Sequence, residues 1–238
     1  MSGRTAGHGV RALGRYDYPT KYRAFEVSSL AAFVVFGLVF WVRVGGAAVD
    51  RFTASVALGL LGAVALAYFT ADFLSGLVHF LCDTYGSTST PVLGQKFIKA
   101  FREHHDDPMK MTRGDFVEVN ADNFFVCLPV LIPCVIWLDV HDHLYLAVFL
   151  SVLMAFVVVT NELHKWAHMP DVPPLMQRLQ ATGLVLSPAN HGKHHTAPYV
   201  NSYCITAGVL NPLLDRLGLW RLLGSQRAAN GSALSRPQ

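Results

Sequence analysis

From Phe52 to Cys82 the chain carries one charged side chain, Asp72. As a helix this run would be about 46 Å long at 1.5 Å per residue. A bilayer's hydrocarbon core is ~30 Å thick and takes about 20 apolar residues. A stretch so long and so apolar does not suit a soluble domain. Three further segments read the same way: Val27–Val49, broken only by Arg43, the short Asn123–Leu138 with Pro129 and Pro133, and Leu144–Asn161. Composition agrees, with 15% charged residues against about 25% in a soluble domain. The expected fold is all-α: an integral membrane bundle of four transmembrane helices, residues 26–222, between a leader at 1–25 and a disordered tail at 223–238. A cleaved signal peptide is the rival reading of the first segment, because a basic leader, an apolar run and small residues come in that order. The leader is long for one.

Orientation follows from the flanking cations. Arg4, Arg11, Arg15, Lys21 and Arg23 precede the first span, and only Arg43 and Arg51 separate it from the second. Lys96, Lys99, Arg102, Lys110 and Arg113 follow the second; the loop Asp139–His143 has no Lys or Arg; Lys165, Arg178, Lys193, Arg216 and Arg221 follow the fourth. The alternation puts both termini in the cytosol, in the plasma membrane of a bacterium or the endoplasmic reticulum of a eukaryote. The second span is too long for the bilayer, so its end should rise out with Asp72, His79 and Asp83. The fourth should continue to His168, where Met169 and Pro170 stop it. Residues 175–186 read as a short helix on the membrane surface.

Eight of the 11 histidines fall on the cytosolic side of this scheme. His79 ends the second span. His104 and His105 are adjacent in "FREHHDDP". His164 and His168 are four apart in "NELHKWAH", so one helix face presents both. His191, His194 and His195 crowd into "HGKHH". Each group alone has an ordinary reading as a cap or a solvated loop. Eight imidazoles at one apolar surface require something that uses their lone pairs, and imidazole suits Zn, Cu, Fe and Ni. The number exceeds what one tetrahedral zinc takes and fits two metal ions with open positions for O2.

Acids lie nearby. Asp72 and Asp83 share a helix with His79, and Glu103, Asp106, Asp107 and Glu162 are interspersed with the histidines. They could be supplementary ligands or support the histidines: metal-bound histidines usually donate their other nitrogen to a carboxylate or carbonyl, which makes Asp72, Asp83 and Glu118 candidates for that supporting role. Asp72 in particular is expected to reach a histidine packed over the second span. In "MTRGDFVEVNADNFF" the polar residues could hold a lipid headgroup or support the metal; the plain alternative is a solvated loop with Asn120 or Asp122 capping the third helix. Cys82, Cys127, Cys134 and Cys204 show no CxxC spacing and read as small apolar fillers. No Lys/Arg run is dense enough to suggest nucleic acid.

The segments "ADFLSGLVHF", "DTYGSTSTPVLGQKFIKAFREHHDDP", "TRGDFVEVNADN", "TNELHKWAH" and "HGKHHTAPYVNSYCITAGVLNPLLDRLGLW" resemble the plasmanylethanolamine desaturase family over residues 65–222. A chloroplast palmitate desaturase is similar more distantly. The resemblance implies a membrane-bound di-iron desaturase that removes two hydrogens from the 1-O-alkyl chain of an ether phospholipid, leaving a vinyl ether. It implies His79, His104, His105, His164, His168, His191, His194 and His195 as the metal-binding and catalytic residues. Two positions depart from the family: Gly114 stands where a histidine is frequent, and Phe80 where tryptophan is usual.

Breaking an unactivated C–H bond needs an oxidant made from O2, hence a redox metal. The sequence shows no flavin, haem or nicotinamide motif, so electrons must come from an external donor such as cytochrome b5 or a ferredoxin. Lys96, Lys99, Lys110, Arg113 and Lys193 are candidates for docking it. An acyl-lipid desaturase or hydroxylase would use the same histidines. A zinc-dependent membrane hydrolase or a metal carrier would use them without redox chemistry.

Overall fold

The computed structural model describes residues 20–85, 87–91, 94 and 98–229. Among these, every regular element is helical: α1 Thr20–Asp50, α2 Ala54–Thr84, α3 Lys99–Asp106, a 3-10 turn Lys110–Arg113, α4 Phe116–Trp137, α5 Leu144–His168, α6 Pro174–Thr182, α7 Pro188–His194, α8 Asn211–Arg216 and α9 Leu219–Ala229. Four of them, α1, α2, α4 and α5, are long and apolar enough to cross a membrane. They match the four expected spans. Residues 1–19 of the leader and 230–238 of the tail lie outside the described residues. The tail expected to be irregular from residue 223 is helical to Ala229.

Two aromatic and aliphatic stripes join α1 to α4. Phe33, Phe40, Val44 and Ala47 of α1 meet Phe124, Cys127, Leu131 and Cys134 of α4 in one buried cluster. α2 instead packs on α5, and its buried positions Ala63, Ala67 and Ala71 are small and four apart. Small residues on one helix face let two backbones approach where lipid supplies no hydrophobic driving force. The other faces keep apolar side chains outward, as at Leu58 (72% exposed) and Val42 (74%). α4 continues without a break past Pro129 and Pro133, which membrane helices tolerate because neighbouring groups can satisfy the freed carbonyls.

The two ends of the bundle differ chemically. At one end Arg43 donates to the carbonyls of Val135 (2.5 Å) and Leu138 (2.9 Å), and Arg51 donates to the carbonyl of His141. These cations close the C-terminal end of α4, where unpaired carbonyls and the helix dipole favour positive charge. At the other end Arg23 grips both oxygens of Asp115 at 3.1 and 3.0 Å. Asp115 also accepts from the backbone N–H of Glu118 and so caps α4. This corrects the expected cap at Asn120 or Asp122. Both lie inside the helix, and Asn120 is fully buried, accepting from the Glu162 N–H at 3.1 Å and donating to the Phe116 carbonyl at 2.8 Å. The described ends of the chain, α1's start and α9, lie at this second end, where the Tyr85 hydroxyl donates to the Leu223 carbonyl.

Two helix stops follow their expected chemistry. α5 ends at His168 with Met169 as its cap, before Pro170. The surface helix α6 stops at Gly183, whose φ of 74° is the left-handed conformation that glycine adopts freely. Leu175 of α6 is 68% exposed, as expected of a helix whose apolar face meets lipid.

Residues 201–210 form a strap laid along α2, with no helix or strand of its own. Most of its backbone N–H groups are held by side chains of α2 and α8. Asp72 accepts the N–H groups of Ala207 and Gly208 on Oδ1, both at 2.8 Å, and of Leu210 on Oδ2 at 3.0 Å. The Ser75 hydroxyl accepts from Ile205 and Thr206. Asn211 Oδ1 accepts from the Cys204 N–H, and Asp215 holds Ser202 by its N–H and hydroxyl. The last pair fixes Ser202 at φ 56°, a conformation uncommon outside glycine. The strap lies so close to α2 that a Cβ at Gly76 would fall 2.6 Å from Cys204 Sγ. Asp72 therefore does not reach a histidine, contrary to expectation. Three backbone donors of the strap claim its lone pairs first.

A buried donor left without a partner costs about 1–3 kcal/mol. Asp72→Leu should therefore lower the melting temperature of the detergent-purified protein by several degrees, and Asp72→Asn, which keeps one acceptor oxygen, by less. A leucine variant as stable as wild type would refute the fastening role.

Candidate metal centre

Nine side chains from four helices converge at the end of the bundle bearing Arg23. His79 and Asp83 come from the C-terminal turns of α2, His104 and His105 from α3, and His164 and His168 from α5. His191, His194 and His195 come from α7 and its cap. All eight histidines singled out in the sequence are here. His141 and His143 are exposed in the turn at the opposite end, and His8 lies outside the described residues.

The nine donors sort into two groups, each with its ligand-capable atoms within 4.8 Å of one another: His104, His164, His168, His191 and His195; and His79, Asp83, His105 and His194. Helix periodicity explains the sorting. Residues four apart project from one face, so His164 pairs with His168, His191 with His195, and His79 with Asp83. Adjacent residues diverge by about 100° on a 3.6-residue turn. His104 and His105 therefore split between the groups, as do His194 and His195.

The spacing within each group is that of ligands around an ion. In the first, Nε2 atoms stand 2.8 Å apart for His164–His191 and His168–His191, and 3.0 Å apart for His104–His168, His104–His195 and His191–His195. In the second, Asp83 Oδ2 lies 2.9 Å from His105, 3.3 Å from His79 and 3.6 Å from His194 at Nε2. Nitrogens bonded to one metal at about 2.05 Å are separated by roughly 2.9 Å in octahedral and 3.3 Å in tetrahedral geometry. Five imidazoles cannot satisfy one another by hydrogen bonding at this distance, because each neutral ring has one donor and one acceptor nitrogen. The donor set fits metal ions.

The rings are oriented from behind. His194 Nδ1 donates to the Asn201 carbonyl at 2.8 Å, and His79 Nδ1 to the Tyr203 carbonyl at 3.2 Å. A carbonyl only accepts, so the proton sits on Nδ1 and the Nε2 lone pair is left facing the group. Both carbonyls belong to the strap that Asp72, Ser75 and Asp215 fasten. Burial holds the imidazoles of His104 and His191 well below the ordinary histidine range, and that of His195 down to about 3, with neighbouring imidazoles adding to the effect. Neutral rings are the form a metal needs. His104, His105 and His191 at Nδ1, and Asp83 at Oδ1, are buried without a partner among the described residues.

Asp83, expected as a support or a supplementary ligand, supplies one of the nine convergent donor atoms. Glu118 lies in neither group. It lines a cavity of ≈ 410 Å³ that touches His104 and His164. Glu162 binds Asn120 (3.4 Å) and Lys165 (3.5 Å), and Lys165 donates to the Gly114 carbonyl at 2.8 Å. Lys99 and Lys110 pair with Glu103, and Arg113 with Asp107. Lys193 is exposed, and Lys96 lies outside the described residues. The four cysteines are free, and three of them are buried as apolar filler. The strap's carbonyls were missed from sequence because a backbone acceptor has no residue-type signature.

Residues 68–229 match the lipid desaturase domain. The chain belongs to that family. A plasmanylethanolamine desaturase of Myxococcus xanthus is 40% identical over 213 residues, covering 85% of this chain and 74% of the relative. Plasmanylethanolamine desaturase 1 of Mus musculus is 42% identical over 174 residues, covering 69% of this chain and 63% of the relative. The chloroplastic fatty acid desaturase 4 of Arabidopsis thaliana is 36% identical over 160 residues, covering 66% of this chain and 48% of the relative. The chain thus spans less than two thirds of the mouse and plant proteins. No solved structure matches. The matched segment contains all nine convergent donors and the whole strap.

Each group should lose its own metal independently. His168→Ala should deplete the five-histidine group and His194→Ala the other, while His141→Ala and His143→Ala leave the metal content unchanged. Metal analysis of the purified variants checks this, and full metal in both site variants would refute the assignment.

Proposed function

We propose that this lipid desaturase acts on an ether phospholipid, converting plasmanylethanolamine to plasmenylethanolamine by forming the vinyl-ether bond of a plasmalogen. The observation that carries the reading is the pair of imidazole-rich groups at the end of a membrane bundle, in a chain 40% identical to a protein named for that reaction. His104, His164, His168, His191 and His195 would hold one iron, and His79, His105, His194 and Asp83 the second. When bound, the irons supply the reduction of O2 to an oxidant strong enough to remove hydrogen from an alkyl chain. The overall reaction takes two hydrogens from adjacent carbons, with O2, two electrons and two protons, and yields the double bond and two waters. The electrons come from outside the chain, from a carrier such as cytochrome b5 or a ferredoxin.

The protein's own residues bind and orient. The carbonyls of Asn201 and Tyr203 fix two rings, which keeps the reacting groups positioned within the tolerance that catalysis requires. Burial keeps His104, His191 and His195 neutral, so they stay available as ligands. The histidine end is read as cytosolic, on the bias of Lys and Arg toward that end.

Expression in a host that makes alkyl ether lipids but no plasmalogens tests the activity. Lipid mass spectrometry should find an ethanolamine ether lipid lighter by two hydrogens, which acid cleaves to an aldehyde. Its formation should require O2 and fail in His168→Ala. A second reading, desaturation of an acyl chain, is favoured by the fatty acid desaturase relatives; an acid-stable double bond in an ester-linked chain would select it. Orientation is tested separately. A cysteine introduced at exposed Lys193 should be labelled from the cytosolic side, and one at His141 from the other. The reverse pattern would invert the topology.

A further inference from the structure

The reaction at the ether-linked carbon constrains where the polar end of the lipid lies. That carbon is six single bonds from the phosphorus, which spans roughly 7–8 Å when extended. The phosphodiester must therefore sit beside the metal groups, in a space that reaches them. The ≈ 410 Å³ cavity between α3, the 3-10 turn and the start of α4 does so. It is bounded by His104 and His164, both of the five-histidine group, and by no member of the other group.

The walls of the cavity are charged in a particular balance. Lys99 and Lys110 face four carboxylates: Glu103, Asp107, Glu118 and Asp122. Glu103 engages both lysines, at 3.5 and 2.5 Å, and Asp107 pairs with Arg113 at 3.6 Å. The Glu118 carboxylate has no ion-pair or hydrogen-bond partner among the described residues. His104 is 6% exposed and holds an unpartnered Nδ1. With Arg113 on Asp107, three cations meet four carboxylates at this wall, a local excess of one in a chain of net charge +3. Such a wall repels an anionic headgroup and favours one that carries its own cation. The lysines supply donors for a phosphodiester next to it.

Resting on the ether-lipid reading above, we infer that this cavity is the headgroup subsite, taking a phosphodiester with a primary ammonium. Glu118 receives the ammonium and the Lys99–Lys110 edge receives the phosphate. The five-histidine group is then the one nearest the ether carbon.

Two measurements on the purified full-length protein test this. The first is independent of catalysis: glycerophosphoethanolamine should raise the melting temperature of wild-type protein more than glycerophosphoglycerol at equal concentration. Glu118→Lys should abolish the difference, and Glu118→Gln should reduce it. Equal stabilisation by the two probes, or a difference untouched in both variants, overturns the subsite. The second is kinetic. KM for 1-O-alkyl phosphatidylethanolamine should rise about tenfold in Glu118→Gln, the effect of losing one charge-assisted hydrogen bond. The preference over the matching choline lipid should shrink, and metal content should stay at the wild-type level. An unchanged KM and headgroup preference overturns the proposal. Probe binding without any vinyl-ether product would instead refute the desaturation reading and leave the subsite standing.

Discussion

Eight imidazole nitrogens and one carboxylate oxygen crowd into two groups whose spacing suits a cation within each. Everything at this end of the molecule serves to hold them there. The helices supply rigidity, since each group is assembled from three separate elements whose relative positions are set elsewhere by packing. α2 and α5 bring His79, His164 and His168 into register through the close Ala63–Ala67–Ala71 face. α3 and α7 close over them, each contributing an adjacent histidine pair that joins the two groups.

The strap of residues 201–210 turns this assembly into a fixed one. It has no secondary structure of its own, so its backbone donors must be satisfied by side chains. Asp72 and Ser75 of α2 and Asn211 and Asp215 around α8 do so. The strap in turn offers the carbonyls of Asn201 and Tyr203 to two of the rings. An acid within a spanning segment is expensive unless it is matched by donors. Here the three N–H groups supply that match, and Asp72 acts on the site at one remove, through the loop it anchors.

The division of the protein between lipid and water also divides the proposed chemistry. The long helices keep apolar surface outward and charged residues to their ends, so a lipid's chains remain in the bilayer while its polar end meets the histidine-bearing face. On the ether-lipid reading, a carbon next to the glycerol is the one such an arrangement would bring to the metal groups.

The four spans, the continuation of α5 to His168 and the identity of the eight histidines were all readable from the chain. They depend on local patterns: hydrophobic run length, proline position and the i, i+4 spacing that puts His164 and His168 on one face. The sorting into groups of five and four was implicit in the same spacing. What the sequence could not disclose was where Asp72 points, that Asp115 rather than Asn120 caps α4, and which of its two possible roles, support or donor, Asp83 takes. Each of these depends on competition between partners distant in the chain. Asp72 met the N–H groups of residues 207–210 before any imidazole, and Asn120 met Glu162 across a helix interface. Local periodicity decides which residues share a face. Only the packing of the helices decides what that face meets.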